Sequence, residues 1–127
     1  MKHFFRTYLF STLITAVIVF LSLFNPPHTQ LDNVTNIDKL AHFGMYAGLE
    51  FFIWIEFLRD KQVKPRLSGF LIMLFFPILL GVLMEIAQSA FTDYRSFEWA
   101  DMIADSAGAM VCALGCLLFV NRVSGKR

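Results

Sequence analysis

The sequence predicts an all-α membrane protein in which four transmembrane helices form one bundle with both termini in the cytoplasm. Hydrophobic residues make up 57% of the 127-residue chain and charged residues only 17%, whereas soluble domains average about 45–50% apolar and about 25% charged residues. The chain also contains four long apolar runs separated by short polar segments. We therefore expect residues 1–127 to form a single domain in the lipid bilayer.

Each apolar run approaches the length of a membrane-spanning helix, which needs about 20 residues to cross about 30 Å of hydrocarbon. The first run is uncharged and is followed by Asn-Pro-Pro, where a helix cannot continue. The third run contains Pro77, which predicts a kink. The predicted helices cover residues 8–24, 40–58, 67–91 and 102–120.

The first run also has a feature of a signal peptide, because the basic segment MKHFFR precedes it. Its apolar stretch is at the long end for such a peptide, and the residues that follow lack an A-x-A-like cleavage site. These two features favour a retained helix over a cleaved signal.

The distribution of Lys and Arg predicts the orientation. The N-terminal segment, the second connection RDKQVKPR and the C-terminal tail are basic, whereas the other two connections contain only Lys39 and Arg95 among several acidic residues. Cytoplasmic loops of membrane proteins are enriched in Lys and Arg, so both termini and the second connection are predicted to be cytoplasmic. The net charge of +1 provides no field that would attract nucleic acid.

In this orientation, polar residues of three helices lie on the extracytoplasmic side. They are Asp38, Lys39, His42 and Tyr46 on the second helix, Glu85, Gln88 and Ser89 on the third, and Asp101 and Asp105 on the fourth. Spacings of three and four residues place members of each set on one helix face. Acidic side chains in a bilayer usually face the bundle interior. We therefore predict a polar site at the extracytoplasmic end, and no comparable cluster at the cytoplasmic end.

Small residues continue the stripe of Asp101 and Asp105 along the fourth helix. They are Gly108, Cys112 and either Gly115 or Cys116. Such a stripe allows a neighbouring helix to approach closely. The two cysteines match no disulfide framework or metal motif, and we interpret them as packing residues.

Four segments resemble the VanZ-like family of small bacterial membrane proteins: DKLAHFGMYAGL (38–49), GVLMEIAQSAF (81–91), YRSFEWAD (94–101) and DMIADSAGAMVCALG (101–115). The resemblance identifies the family's motif residues as Asp38, Lys39, His42, Phe43, Tyr46, Glu85, Gln88, Arg95, Asp101 and Gly108. The chain departs from the family pattern at Asp105, where an amide is expected. The resemblance implies a multi-pass protein of the bacterial cytoplasmic membrane. It also implies a link to the cell envelope, because the founding member lowers susceptibility to the glycopeptide teicoplanin.

Three functions remain open, and the sequence does not decide whether the protein is an enzyme. The first is a site that engages a lipid-linked envelope precursor or another envelope ligand. Its candidate catalytic residues are Asp38, His42, Glu85 and Asp101, and its candidate ligand-binding residues are Lys39, Tyr46, Gln88, Arg95 and Asp105. The second is a non-enzymatic scaffold or partner-binding protein whose polar cluster is structural. The third, ranked lowest, is an ion or proton pathway through Glu50 and Glu85.

A divalent cation is a further candidate at this site. Oxygen ligands together with one imidazole suit a hard or borderline divalent metal. The chain contains no compact metal motif such as HExxH, so the sequence alone assigns no metal ligand. Glu50, two turns beyond His42, is predicted to pair with a Ser or Thr hydroxyl in the interior.

Overall fold

The computed structural model describes residues 1–24, 36–60, 67–93 and 96–124. Its helices are α1 (Lys2–Thr7), α2 (Leu9–Leu23), α3 (Ile37–Arg59), α4 (Leu67–Phe91) and α5 (Trp99–Ser124). These described residues contain no strand, which confirms the all-α prediction.

Two helices, α3 and α5, extend beyond the apolar runs that predict them. α3 and α5 include polar residues at both ends, and α4 has the predicted bounds and continues through the buried Pro77. The first predicted helix differs, because Tyr8 adopts φ −104° and ψ 38° and separates the short α1 from α2.

Two of the helices are long and apolar enough to cross a membrane, namely α4 and residues Trp99–Val123 of α5. α2 is a shorter apolar helix. Large apolar side chains point outward along the bundle, including Ile72, Phe75 and Leu118. An exposed apolar surface of this kind suits contact with lipid, because a soluble protein rarely exposes large contiguous apolar patches.

α3 is the central helix, since it contacts each of the other four. Its residues Tyr46, Leu49, Ile53, Trp54 and Phe57 form most of the buried apolar core. The remaining core residues are Ile18, Met73 and Ala113. The position of α3 also determines where Asp38, Lys39 and His42 lie, because its first turns contain all three.

α3 and α5 approach each other closely at Gly108. A Cβ atom at this position would lie 2.2 Å from the backbone oxygen of Phe43 and 3.2 Å from the backbone nitrogen of Ala47. Only glycine fits at such a distance, because the neighbouring atoms belong to the backbone and cannot rotate away. This confirms the predicted close approach at Gly108, whereas Gly115 is exposed with nothing near its Cβ position.

A second polar cluster lies at the other end of α3. Glu56 accepts hydrogen bonds from the backbone nitrogens of Phe10 (2.7 Å) and Ser11 (3.1 Å) and from the Ser11 hydroxyl. Its carboxylate thus caps the start of α2, where Tyr8 provides no side-chain cap. The prediction that this end has no comparable cluster is therefore wrong.

Asp60 completes this second cluster. It accepts hydrogen bonds from the Tyr8 hydroxyl at 3.3 Å and from His3 Nε2 at 3.2 Å. Both carboxylates are buried, with Glu56 4% and Asp60 7% exposed. They fix the junction between α1 and α2 against the end of α3, so the cluster has a structural explanation.

We expect Gly108→Ala to destabilise the protein by about 1–3 kcal/mol, the usual cost of overpacking a tight contact. Gly115→Ala is the matched control on the same helix. It should leave stability unchanged or raise it, since Ala favours a helix by up to about 1 kcal/mol over Gly. Thermal unfolding of both variants in detergent measures the difference, and equal stability of the two would contradict the close contact.

Candidate functional site

Three helix ends meet at the candidate site. α3 and α5 begin here, and the last turns of α4 reach the same level, so side chains of all three helices face one another. Four of these side chains belong to buried residues: His42, Glu85, Asp101 and Asp105 are 5%, 2%, 1% and 1% exposed. The predicted convergence of polar residues from three helices is therefore observed in the described part of the chain.

His42 lies at the centre of the carboxylates. Its Nδ1 donates a hydrogen bond to Asp105 Oδ1 at 2.9 Å. Its Nε2 lies 3.8 Å from Asp38 Oδ1 and 3.7 Å from Asp101 Oδ2. The Asp105 bond fixes the orientation of the ring, while the longer distances leave Nε2 close to two further carboxylates without a direct hydrogen bond to either.

Lys39 forms the cationic part of the site. Its Nζ donates to Glu98 Oε2 at 2.6 Å and lies 3.0 Å from Asp101 Oδ1 and 3.8 Å from Asp38 Oδ2. Lys39 precedes the proposed span 40–58, and its bonds to Glu98 and Asp101 raise its pKa above the ordinary value. The ammonium group therefore stays charged and offsets part of the carboxylate charge.

At the candidate site, Glu85 Oε1 and Asp105 Oδ2 are buried and have no hydrogen-bond partner among the described residues; the same is true of Glu50 Oε2, farther along α3. The other oxygen of Glu85 accepts a hydrogen bond from the backbone nitrogen of Glu98 at 3.2 Å. Gly81 packs against Asp105, since a Cβ at Gly81 would lie 2.9 Å from Asp105 Oδ2. An unpaired buried oxygen is costly, by about 1–3 kcal/mol and more for a charged group.

The other predicted ligand-binding residues have different surroundings. Tyr46 is 1% exposed, and its hydroxyl has no partner in the described ranges. Gln88 is buried but donates to the backbone oxygen of Ser22 at 2.9 Å, so it joins α4 to α2. Ser89, predicted only to share a helix face with Glu85 and Gln88, is exposed, and its hydroxyl donates a hydrogen bond to the Ile86 carbonyl of its own helix. Arg95 lies outside the described residues.

Two interactions were not anticipated from the sequence. The Glu98 carboxylate pairs with Lys39, and the Glu98 backbone nitrogen donates a hydrogen bond to Glu85. The signal in the sequence that links Glu98 to the site is its position three residues before Asp101. Glu50 accepts a hydrogen bond from Trp54 Nε1 at 2.7 Å. The predicted pairing of Glu50 with a Ser or Thr hydroxyl is therefore wrong, because an indole one turn away supplies the donor.

The charge balance of the site indicates which chemical groups it can bind. Five carboxylates surround Lys39 and His42; they are Asp38, Glu85, Glu98, Asp101 and Asp105. Even with both Lys39 and His42 charged, carboxylates are in excess. The arrangement suits hydrogen-bond donors and cations, and the His42–Asp105 pair has the geometry of an acid–base couple.

We expect Lys39→Met to lower stability by about 1–3 kcal/mol, because the buried Asp101 loses its ammonium partner. Glu98→Gln should cost no more than about 1 kcal/mol, since the Glu98 side chain is 47% exposed. Adding Asp101→Asn to Lys39→Met should restore part of the loss. Unfolding temperatures in detergent test this order. If Glu98→Gln were the more destabilising change, the stability that Lys39 contributes would not come from its pairing with Asp101.

Comparison with known proteins identifies the family of this chain. No curated protein and no solved structure matches the chain. The family model VanZ/LLP1 matches residues 2–120, a range that includes α1 to α4, most of α5 and every candidate site residue. Family membership and the two long apolar helices together indicate a membrane protein. The chain belongs to the VanZ/LLP1 family.

Proposed function

We propose that this protein is a multi-pass protein of the bacterial cytoplasmic membrane that binds the polar headgroup of a cell-envelope ligand, such as a lipid-linked precursor. Its four spans are residues 8–24, 40–58, 67–91 and 102–120, and both termini are cytoplasmic. One observation carries the proposal: His42, Glu85, Asp101 and Asp105 meet in buried positions at one end of the bundle, and one oxygen each of Glu85 and Asp105 lacks a hydrogen-bond partner among the described residues. Such groups are expensive in a membrane and usually mark function.

The orientation is supported by charge. The basic segments at the N-terminus, at residues 59–66 and at the C-terminus all belong to one side of the membrane in a four-span arrangement. The polar site then faces the cell envelope. A ligand whose lipid part stays in the outer leaflet would reach this site with its headgroup at the level of Lys39.

Lys39 and Glu98 determine how a headgroup enters. The Lys39 ammonium is paired with Glu98, whose side chain is half exposed, and with the buried Asp101. An anionic headgroup displaces the exposed Glu98 and leaves the buried pair in place. Charge-assisted bonds from Lys39 then hold the phosphate or carboxylate of the ligand, and His42 with Asp105 is the acid–base pair for any proton transfer.

The second candidate function is a scaffold or partner-binding protein in which the cluster only joins helices. The contact between Gln88 and the Ser22 backbone favours it, because a predicted ligand-binding side chain joins two helices there.

An ion or proton pathway ranks third, since four helices enclose little space and no inverted repeat is evident. A role in glycopeptide susceptibility is part of the first proposed function, because the family resemblance implies it.

The orientation is tested with reporter fusions that are active on one side of the membrane only. We expect a fusion within residues 61–66 and one after residue 124 to report the cytoplasm. A fusion within residues 25–35 should report the extracytoplasmic side. A reporter in residues 61–66 that is active outside the cell would place the polar site on the cytoplasmic side and contradict the proposal.

Ligand engagement is tested with His42→Gln, and His3→Gln at the opposite end of the bundle is the matched control. We expect His42→Gln to abolish any change in teicoplanin susceptibility conferred by the protein, while its level in the membrane stays near that of the wild type. His3→Gln should preserve both. Loss of the His42→Gln protein from the membrane would instead support the scaffold function. Unchanged phenotype and level in His42→Gln, Glu85→Gln and Asp101→Asn would exclude a functional site.

A further inference from the structure

The strongest unexplained feature of the molecule is the set of buried polar atoms without partners on one side of His42. Glu85 Oε1, Asp105 Oδ2 and the Tyr46 hydroxyl are all buried and lack a hydrogen-bond partner among the described residues. Tyr46 interacts electrostatically with the carboxylates of both Asp105 and Glu85, so these atoms belong to one neighbourhood. Buried polar atoms are nearly always satisfied in folded proteins, and three together indicate a ligand.

The chemistry of these atoms selects a cation. Two of the three are carboxylate oxygens, and the adjacent donor Lys39 is occupied by Glu98 and Asp101. One ligand atom each from His42, Glu85 and Asp105 lies within 4.8 Å of the other two. Three ligands held about 2.0–2.2 Å from one metal lie roughly 3–4 Å apart, so side-chain adjustments of no more than about 1–2 Å bring these atoms to coordination distance.

We propose that His42, Glu85 and Asp105 bind a first-row divalent metal ion, such as Mn²⁺ or Zn²⁺. Because a metal-ligating imidazole nitrogen must be unprotonated, an ion held between His42 Nδ1 and Asp105 takes the place of the proton that joins them. Oxygen-only sites suit Mg²⁺ and Ca²⁺, whereas one imidazole with two carboxylates suits the later divalent metals. Gly81 contributes by its lack of a side chain, because a Cβ there would crowd Asp105 Oδ2. A second set around His42, formed with Asp38 and Asp101, has the same spacing. However, Asp38 is half exposed and Asp101 is already paired with Lys39.

This inference deepens the proposed function, because it concerns the same site and rests on that site binding a ligand. An anionic headgroup would meet an excess of carboxylates if the site held no cation. A bound divalent ion offsets two of these charges and presents a positive centre beside Lys39. The metal ion and Lys39 would then contact the headgroup from two sides.

The test is a titration with Mn²⁺ of the full-length chain, which is first treated with a chelator and reconstituted in nanodiscs. Binding is measured by electron paramagnetic resonance as the loss of the six-line spectrum of free Mn²⁺. We expect about one saturable site per chain and displacement of Mn²⁺ by Zn²⁺, which binds such ligands more tightly. Glu85→Gln and Asp105→Asn should weaken binding at least about tenfold, because even groups that only orient a metal ligand contribute about 10–100-fold. Asp93→Asn, an exposed carboxylate at the same end of α4, is the matched control and should bind as the wild type does.

Three outcomes would overturn the metal site. The first is that the wild type shows no saturable Mn²⁺ binding. The second is that Glu85→Gln and Asp105→Asn both bind Mn²⁺ as tightly as the wild type. The third is that Asp38→Asn weakens Mn²⁺ binding more than Glu85→Gln does. If Glu85→Gln fails to accumulate, Glu85→Asp keeps the charge, shortens the side chain and should weaken Mn²⁺ binding measurably. The teicoplanin phenotype is measured separately from these titrations. If the wild type bound Mn²⁺ at one saturable site but left teicoplanin susceptibility unchanged, the envelope ligand would be rejected and the metal site would be kept.

Discussion

The structure depends on the close approach of α3 and α5, which only glycine at position 108 permits. At this contact the backbones come so near that a Cβ atom would lie 2.2 Å from the Phe43 carbonyl oxygen. One helical turn nearer the start of both helices, the same approach sets the 2.9 Å hydrogen bond between His42 and Asp105. A wider separation would leave Asp105 without its imidazole partner in an apolar bundle. The packing at Gly108 therefore also determines the geometry of the polar site.

α3 organises the charges of the molecule as well as its core. Its first turns contribute Asp38, Lys39 and His42 to the candidate site, and its last turns contribute Glu56 and Asp60 to the second cluster. The two clusters are built differently. Glu56 accepts hydrogen bonds at both oxygens, as expected for a carboxylate that stabilises the fold. Glu85 and Asp105 each have an oxygen without a hydrogen-bond partner among the described residues, and this difference is the physical reason why we propose ligand binding at this end and not at the other.

The sequence was sufficient for the helical fold and for most of the site, because each depends on local patterns. Apolar runs locate the helices, and spacings of three and four residues place His42 with Asp38 and Asp105 with Asp101. It was insufficient where partners are backbone groups or distant side chains. Glu56 caps the amides of Phe10 and Ser11, and Gln88 bonds to the Ser22 carbonyl; neither partner has a sequence signature. Glu98 was missed because its role depends on the direction in which the chain enters α5.

The central claim is that His42 and Asp105 form a coupled pair within the buried site. A double-mutant cycle on the free energy of unfolding, with His42→Gln, Asp105→Asn and the combined variant, measures that coupling directly. Because the bond is buried and joins an imidazole to a carboxylate, we expect a coupling free energy of about 1–3 kcal/mol. Additive effects of the two changes, within about 0.3–0.5 kcal/mol, would show that the two side chains do not interact and would contradict the account.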